Sequence, residues 1–202
     1  MLKLHYHPFS TYARRVHIAL LDKKVPHELI VVDMVNRAHK QPDFLALNPY
    51  GRVPALVEDD FVLYESTAIL NYLEATHPTP ALVPTDARGR ALVDMHMKLC
   101  DLQFTRQAVA IIFPKRFFPK ERWDLPLFAQ MRGEIEAHMK AVAKALGGNE
   151  YLVRNAYSLA DICYVPFLEF LPLMEVTPPP EVAAWMARLA ARPSVQQTKP
   201  AV

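Results

Sequence analysis

Cysteine is scarce. The 202 residues hold two, Cys100 and Cys163, with no C-x-x-C pair and no metal-ligand spacing. That argues against a disulfide scaffold or a structural zinc site, and it suits a reducing compartment. Long apolar runs are also missing. No stretch reaches the ~18 residues that cross a bilayer. The opening MLKLHYHPFS has one lysine and no apolar h-region, so no secretory signal is expected. Neither sign of charge dominates: 23 Lys and Arg against 21 Asp and Glu leave +2, which implies no polyanion partner. The expectation is a cytoplasmic protein with no membrane, no nucleic acid and no metal. The basic pairs Arg14-Arg15 and Lys115-Arg116 read as solvated helix faces.

What is present fits a folded chain of one large or two small domains. Residues 1–78 mix short β-like runs with helical patterns. Leu2–Tyr6, Glu28–Asp33, Pro54–Glu58 and Phe61–Tyr64 read as strands. The run ELIVVD suits a strand buried on both faces. Asp59-Asp60 reads as a hairpin turn. Thr11–Lys24 reads as a helix, with Val16, Ala19, Leu20 and Lys23 on one face, and Glu65–Thr76 as another. The order is βαβ, a short helical stretch, then ββα, an α/β domain of thioredoxin size. Residues 79–84 lie in a proline-rich linker. Residues 85–202 read as all-α, with four or five helices. Val93, Met97, Cys100 and Phe104 recur at helical spacing, and so do Leu127 to Leu146 until Gly147-Gly148 stops them. Ser158–Pro172 is apolar on most sides and reads as central. Pro114 and Pro119 fit a loop between helices. The tail from Gln196 has no pattern and reads as loose.

Two stretches carry chemistry. In Asn48–Ser66, NPYGRVPALVEDDFVLYES, Val53-Pro54 leads into what reads as an edge strand. A cis bond there would turn the backbone N–H and C=O of Val53 outward, ready to pair with an extended peptide ligand. Ser66 reads as the N-cap of the following helix, whose free N–H groups and positive dipole end suit a carboxylate. Glu65 beside it suits an ammonium. Carboxylate and ammonium on one carbon describe a γ-glutamyl end; plain capping without a ligand is the other reading. The S-x-x-D of Ser158 and Asp161 reads as a structural capping box.

The block NP-x-G-x-VPAL followed by Glu65-Ser66 resembles the cytosolic glutathione S-transferases. His39-Lys40-Gln41-Pro42, Tyr157-Ser158-Leu159-Ala160-Asp161-Ile162 and Arg192-Pro193-Ser194-Val195 resemble further stretches of that family in the same order. The resemblance implies a thioredoxin-like glutathione-binding domain over 1–78 and an all-helical domain over 85–202 carrying the second-substrate site. It implies that Val53, before a cis Pro54, pairs with the cysteinyl part of glutathione. Glu65 and Ser66 then hold the γ-glutamyl end, and His39 and Lys40 face the glycine carboxylate. Arg52 stands where related enzymes often carry Gln, and either adds a charge contact or is solvated.

The loop His7–Val16, HP-x-S-x-x-x-RRV, is similar to serine-type enzymes of the phi and theta kind. Ser10 matches their thiol-activating serine, with Tyr12 and Tyr6 as rivals. The resemblance further implies a homodimer and a small hydrophobic electrophile bound near Phe9, Ile112, Phe113 and Phe117. Glutathione would be co-substrate, with no metal. Glutathione-dependent peroxidase, isomerase or dehalogenase chemistry, or ligand binding without catalysis, are the alternatives on the same fold.

Overall fold

The structure, a computed structural model, describes residues 1–200. The chain divides into two compact units. One runs from Met1 to Leu82 and takes in the tail from Arg192; the other is Val83–Ala191.

The first unit is built on a four-stranded sheet of order β2-β1-β3-β4, with β1 Leu2–Tyr6, β2 His27–Val31, β3 Ala55–Glu58 and β4 Phe61–Tyr64. β1 pairs in parallel with β2 across helix α1 (Thr11–Asp22), and antiparallel with β3. β3 and β4 form a hairpin in which Glu58 faces Phe61, turned by Asp59 at φ 54°. Leu2, Leu4, Val16, Leu20, Leu56, Ile69 and Leu73 make the larger core cluster, joining the sheet to α1 and to α3 (Ser66–Thr76). Val32, Phe44, Val53 and Ala55 make a second, with Phe44 supplied by α2 (Pro42–Leu47). The expectation for ELIVVD is corrected: β2 is an edge strand and none of its residues is fully buried, since only one side has a neighbour. β3, expected at an edge, lies inside the sheet.

Lys23 ends the buried face of α1. Its ammonium pairs with Glu74 at 2.6 Å and donates to the carbonyls of His77 (2.6 Å) and Pro80 (2.8 Å). A buried charge is tolerated when it is this fully partnered. It pins the start of the proline-rich connection to α1.

The tail is not patternless. Pro193–Gln197 forms a short helix, α9, and Val195 and Thr198 are buried. Arg14 donates to Thr198 Oγ1 (3.2 Å) and to the Val195 carbonyl (3.1 Å). So the tail from Arg192 belongs with the first unit rather than with the helices before it. Ala201 and Val202 lie outside the described residues.

The second unit comprises α4 (Ala87–Leu99), α5 (Arg106–Phe117), α6 (Leu125–Leu146), α7 (Leu159–Leu168) and α8 (Pro180–Ala190). A π-helical stretch, Cys100–Thr105, joins α4 to α5. Pro114 lies inside α5 rather than in a loop. All ten residues of α7 are buried, as its apolar composition predicts. Phe104, His138 and Tyr164 stack around it, and His138 Nε2 lies 3.0 Å from the Tyr164 hydroxyl. Among the described residues no helix is long and apolar enough to cross a membrane.

Candidate active site

Three chain reversals in the first unit carry the candidate residues. The first is the loop between β1 and α1. Ser10 N–H donates to the His7 carbonyl (2.9 Å), and Ser10 is the N-cap of α1. Its Oγ accepts from the Ala13 N–H at 3.2 Å. Among the described residues nothing accepts the Ser10 hydroxyl proton. The first turn of α1 has no acidic residue, so the positive end of the helix dipole is not offset there. Phe9 beside it is 45% exposed, its ring 5.7 Å from that of His7. The rings of the two rival tyrosines are both in contact with neighbours. Tyr6 lies edge-on to His17 at 6.0 Å, and the Tyr12 ring sits under the Arg15 guanidinium at 5.0 Å.

The second is the turn before β3. Asn48 is buried and staples it: Nδ2 donates to the Arg52 carbonyl (2.7 Å), and Oδ1 accepts from the Tyr50 N–H (3.0 Å). Gly51 stands at φ 56°, and a Cβ there would lie 2.6 Å from the His39 carbonyl. Only glycine fits so close an approach with that backbone. His39 and Lys40 are thereby held against the turn, and Lys40 Nζ reaches the Tyr50 carbonyl at 3.1 Å. Val53-Pro54 is cis. The N–H and C=O of Val53 have no partner among the described residues. His39 Nδ1 is buried without a partner. Burial, aided by the charges of Lys40, Arg37 and His7, lowers the His39 pKa. A buried ring nitrogen left unpaired is a place where a ligand's polar group recovers a desolvation cost. Arg52 is exposed.

The third is the start of α3. Glu65, not Ser66, takes the N-cap position, with φ 73° and no side-chain cap bond. A non-glycine residue held there stores about 1–3 kcal/mol, a feature that clusters at ligand clamps. Ser66 is the first helical residue, and its Oγ accepts from Arg15 Nη1 at 3.4 Å. Arg15 is completely buried, so the reading of Arg14-Arg15 as a solvated face is corrected for both. The Arg15 charge lies beside a helix end that already favours anions.

Arg15 and Asn48 are the residues that sequence reasoning missed. Arg15 adjoins Val16 on the buried side of α1, a signal masked by the doublet.

In the second unit Ile112 is buried, while Phe113 and Phe117 are exposed with ring centroids 5.0 Å apart. Lys115 is not solvated either: it pairs with Glu175 at 2.6 Å and donates to the Leu173 carbonyl at 2.9 Å. Arg116 lies over the Phe117 and Phe170 rings. Ser158 and Asp161 form the capping box, and Asp161 also accepts from Leu152 N–H (3.1 Å) and Trp185 Nε1 (2.9 Å). Among the described residues no group of three or more His, Cys, Asp or Glu is placed to hold a metal.

Comparison with known proteins agrees with this architecture. Residues 9–76 match the family model of the glutathione S-transferase N-terminal domain, and 109–193 that of the C-terminal domain. The chain is 34% identical to glutathione S-transferase 3 of Zea mays, over 100% of this chain and 94% of that one. It superposes on a glutathione transferase homologue from Sulfitobacter, solved with bound glutathione, at 29% identity and TM-score 0.85, covering 98% and 97%. A bacterial maleyl pyruvate isomerase of the Zeta class is 30% identical with TM-score 0.83, covering 98% and 96%. With both halves of the fold matched in order along nearly its whole length, this chain belongs to the glutathione S-transferase family, as a transferase that takes glutathione as its co-substrate.

Proposed function

We propose that Ser10 activates the thiol of glutathione bound to the first unit, and that the thiolate attacks an electrophilic carbon of a small hydrophobic molecule. The observation that carries this is the Ser10 hydroxyl. It caps α1 by accepting from Ala13 and keeps its own proton to donate. A free thiol with pKa near 8.5 is only about 3% thiolate at pH 7. Lowering that pKa by about two units takes about 2.7 kcal/mol. A hydrogen bond to a charged atom supplies roughly 1.5–3 kcal/mol, and a helix N-terminus adds about 0.3–1 kcal/mol.

The remaining roles follow from the chemistry of each position. The unpaired N–H and C=O of Val53, before Pro54, pair with the cysteinyl backbone. Glu65 takes the γ-glutamyl ammonium. Ser66 and the start of α3, with Arg15 beside them, take its carboxylate. His39 and Lys40 meet the glycine carboxylate, and Arg52 contributes from the exposed side of the turn. In this reading residues 1–78 bind glutathione, 79–84 link, and 85–202 carry the second-substrate site with Ile112, Phe113 and Phe117. The protein is a homodimer: Leu92, Met95 and Leu102 form an exposed apolar stripe along α4 and the π-helical stretch, the kind of face that another subunit covers. It is cytoplasmic, which suits two buried cysteines.

The test is product analysis with an aryl halide or activated alkene. A thioether conjugate of glutathione is expected. Oxidised glutathione, or a product that releases glutathione unchanged, would instead give the peroxidase, isomerase or dehalogenase reading. The isomerase is the one favoured by a specific likeness.

A further inference from the structure

The tail and α1 are fastened together at both ends of the helix. At the last turn, Asp22 Oδ1 accepts from Arg192 Nη2 (3.1 Å) and Ser194 Oγ (2.8 Å). At the first turn, Arg14 reaches Thr198 Oγ1 (3.2 Å) and the Val195 carbonyl (3.1 Å). Thr198 in turn donates to the Ser194 carbonyl at 2.9 Å, which orients its oxygen toward Arg14. Arg14 and Thr198 are both buried. The Arg14 backbone N–H donates to the Ser10 carbonyl (3.0 Å), closing the turn that Ser10 caps. A cleft of about 110 Å³ separates Tyr6, His7 and Pro8 from Gln197, Thr198 and Lys199, so the tail lies alongside the loop that leads to Ser10.

We propose that Arg14 and Thr198 are positioning residues for thiol activation: the tail holds the first turn of α1, and with it the Ser10 hydroxyl, in donating geometry. The inference rests on the reading of Ser10 given above. Its physical reason is that the tail bonds the same turn that carries the Ser10 hydroxyl. That turn has no acidic residue and no capping box; its side-chain cap is Ser10 on Ala13, and Arg14 ties it to the tail. Helix ends open first, and a donor aimed at a thiolate has to be held within about 0.5 Å. The rest of glutathione is gripped at the Val53 turn and the start of α3, with Arg15 of α1, and the tail bonds described above reach neither that turn nor α3.

The experiment is Thr198→Val, which keeps the volume and removes the acceptor, with Thr198→Ser as rescue and Arg14→Lys as a second variant should the first fail to fold. Three quantities are read: the thiol pKa of bound glutathione, kcat and KM for glutathione, and the melting temperature. Thr198→Val is expected to raise the thiol pKa by about half a unit, about threefold less thiolate below the pKa. The loss falls in kcat with KM unchanged, and Thr198→Ser restores it. An unmoved thiol pKa, even with a lower melting temperature, overturns the inference, as does a rise in KM alone. Ser10→Ala is run in parallel. If it leaves the thiol pKa at the wild-type value, the Ser10 reading fails and this inference with it. If Ser10→Ala moves the pKa and Thr198→Val does not, only the positioning role fails.

Discussion

Ser10 and Ser158 occupy the same position in two helices, the N-cap of α1 and of α7, and differ in what their hydroxyls do. Ser158 is buried and donates to Asp161 Oδ2 at 2.9 Å, so its proton is spent inside the fold. Behind it Asp161 also takes the N–H groups of Ser158, Leu152 and Trp185. Ser10 is only partly buried and has no carboxylate behind it; it accepts from Ala13 and donates to nothing among the described residues. One cap is closed on itself and holds the helical unit together. The other is left open at the positive end of a helix. The same side chain spends its proton on the fold in one place and keeps it in the other because of the residue three positions on: Asp161 in α7, Ala13 in α1.

Removing the closing group should have the largest effect. Asp161→Ala orphans the donors of Leu152, Ser158 and Trp185, each worth about 1–3 kcal/mol when buried and unpaired. A loss of about 4 kcal/mol is expected, read as a lowered denaturant midpoint for the second unit. In the protein that remains folded, the thiol pKa of bound glutathione should not move. A shifted thiol pKa would mean the two caps are coupled.

Acid sharpens the comparison next, because each helix has a desolvated histidine near it. His17 lies on α1, and His138 bonds to Tyr164 of α7. Burial above all brings both rings down to about 4 from the ordinary value of 6.5, with His27 and Arg14 adding to it for His17 and His96 for His138. A histidine pKa lowered by folding means that the unfolded chain binds more protons between those values. Stability is therefore full above pH 6.5 and is lost as pH falls toward 4. Each ring should contribute about 1–2 kcal/mol after partial solvation. His138→Gln and His17→Gln should each flatten the acid limb of a stability–pH curve. An unchanged limb in both would refute the assignment.

The smallest effect tests the caps themselves. Ser158→Ala should cost about 1 kcal/mol of stability and leave glutathione conjugation at its wild-type rate. A fall in kcat would show that the closed cap does more than hold a helix.

Much of the fold was legible because it is local. Short β-like runs marked β1, β3 and β4, Asp59-Asp60 marked the hairpin, and S-x-x-D marked the start of α7. The turn around Gly51 stood out for its punctuation by Pro49, Gly51 and Pro54. What stayed hidden depends on distant partners. Arg14 and Arg15 are charged residues on a helix, and nothing nearby in sequence announces that Val195, Thr198 and Ser66 will cover them. The stretch from Gln196 looked loose because its anchor, Thr198, is polar. The apolar run of β2 carried no mark of its edge position, which is fixed by strand order. Pro114 was read as a breaker, yet it sits inside α5. In the candidate site the residue types were readable in the string. That Arg15 lies beside Ser66, and that the Ser10 proton is unspent, are facts of geometry.

The most direct test of the open cap is the thiolate absorbance of bound glutathione titrated against pH, in wild type and Ser10→Ala. A bound thiol pKa well below 8.5 is expected in wild type, moved back up by about 1–2 units in the variant. Near neutral pH that is on the order of 10-fold less thiolate or more. Melting temperature should change by no more than loss of an ordinary cap implies. A wild-type pKa that is lowered but unmoved by Ser10→Ala would contradict the role given to Ser10 and turn attention to Tyr12 and Tyr6.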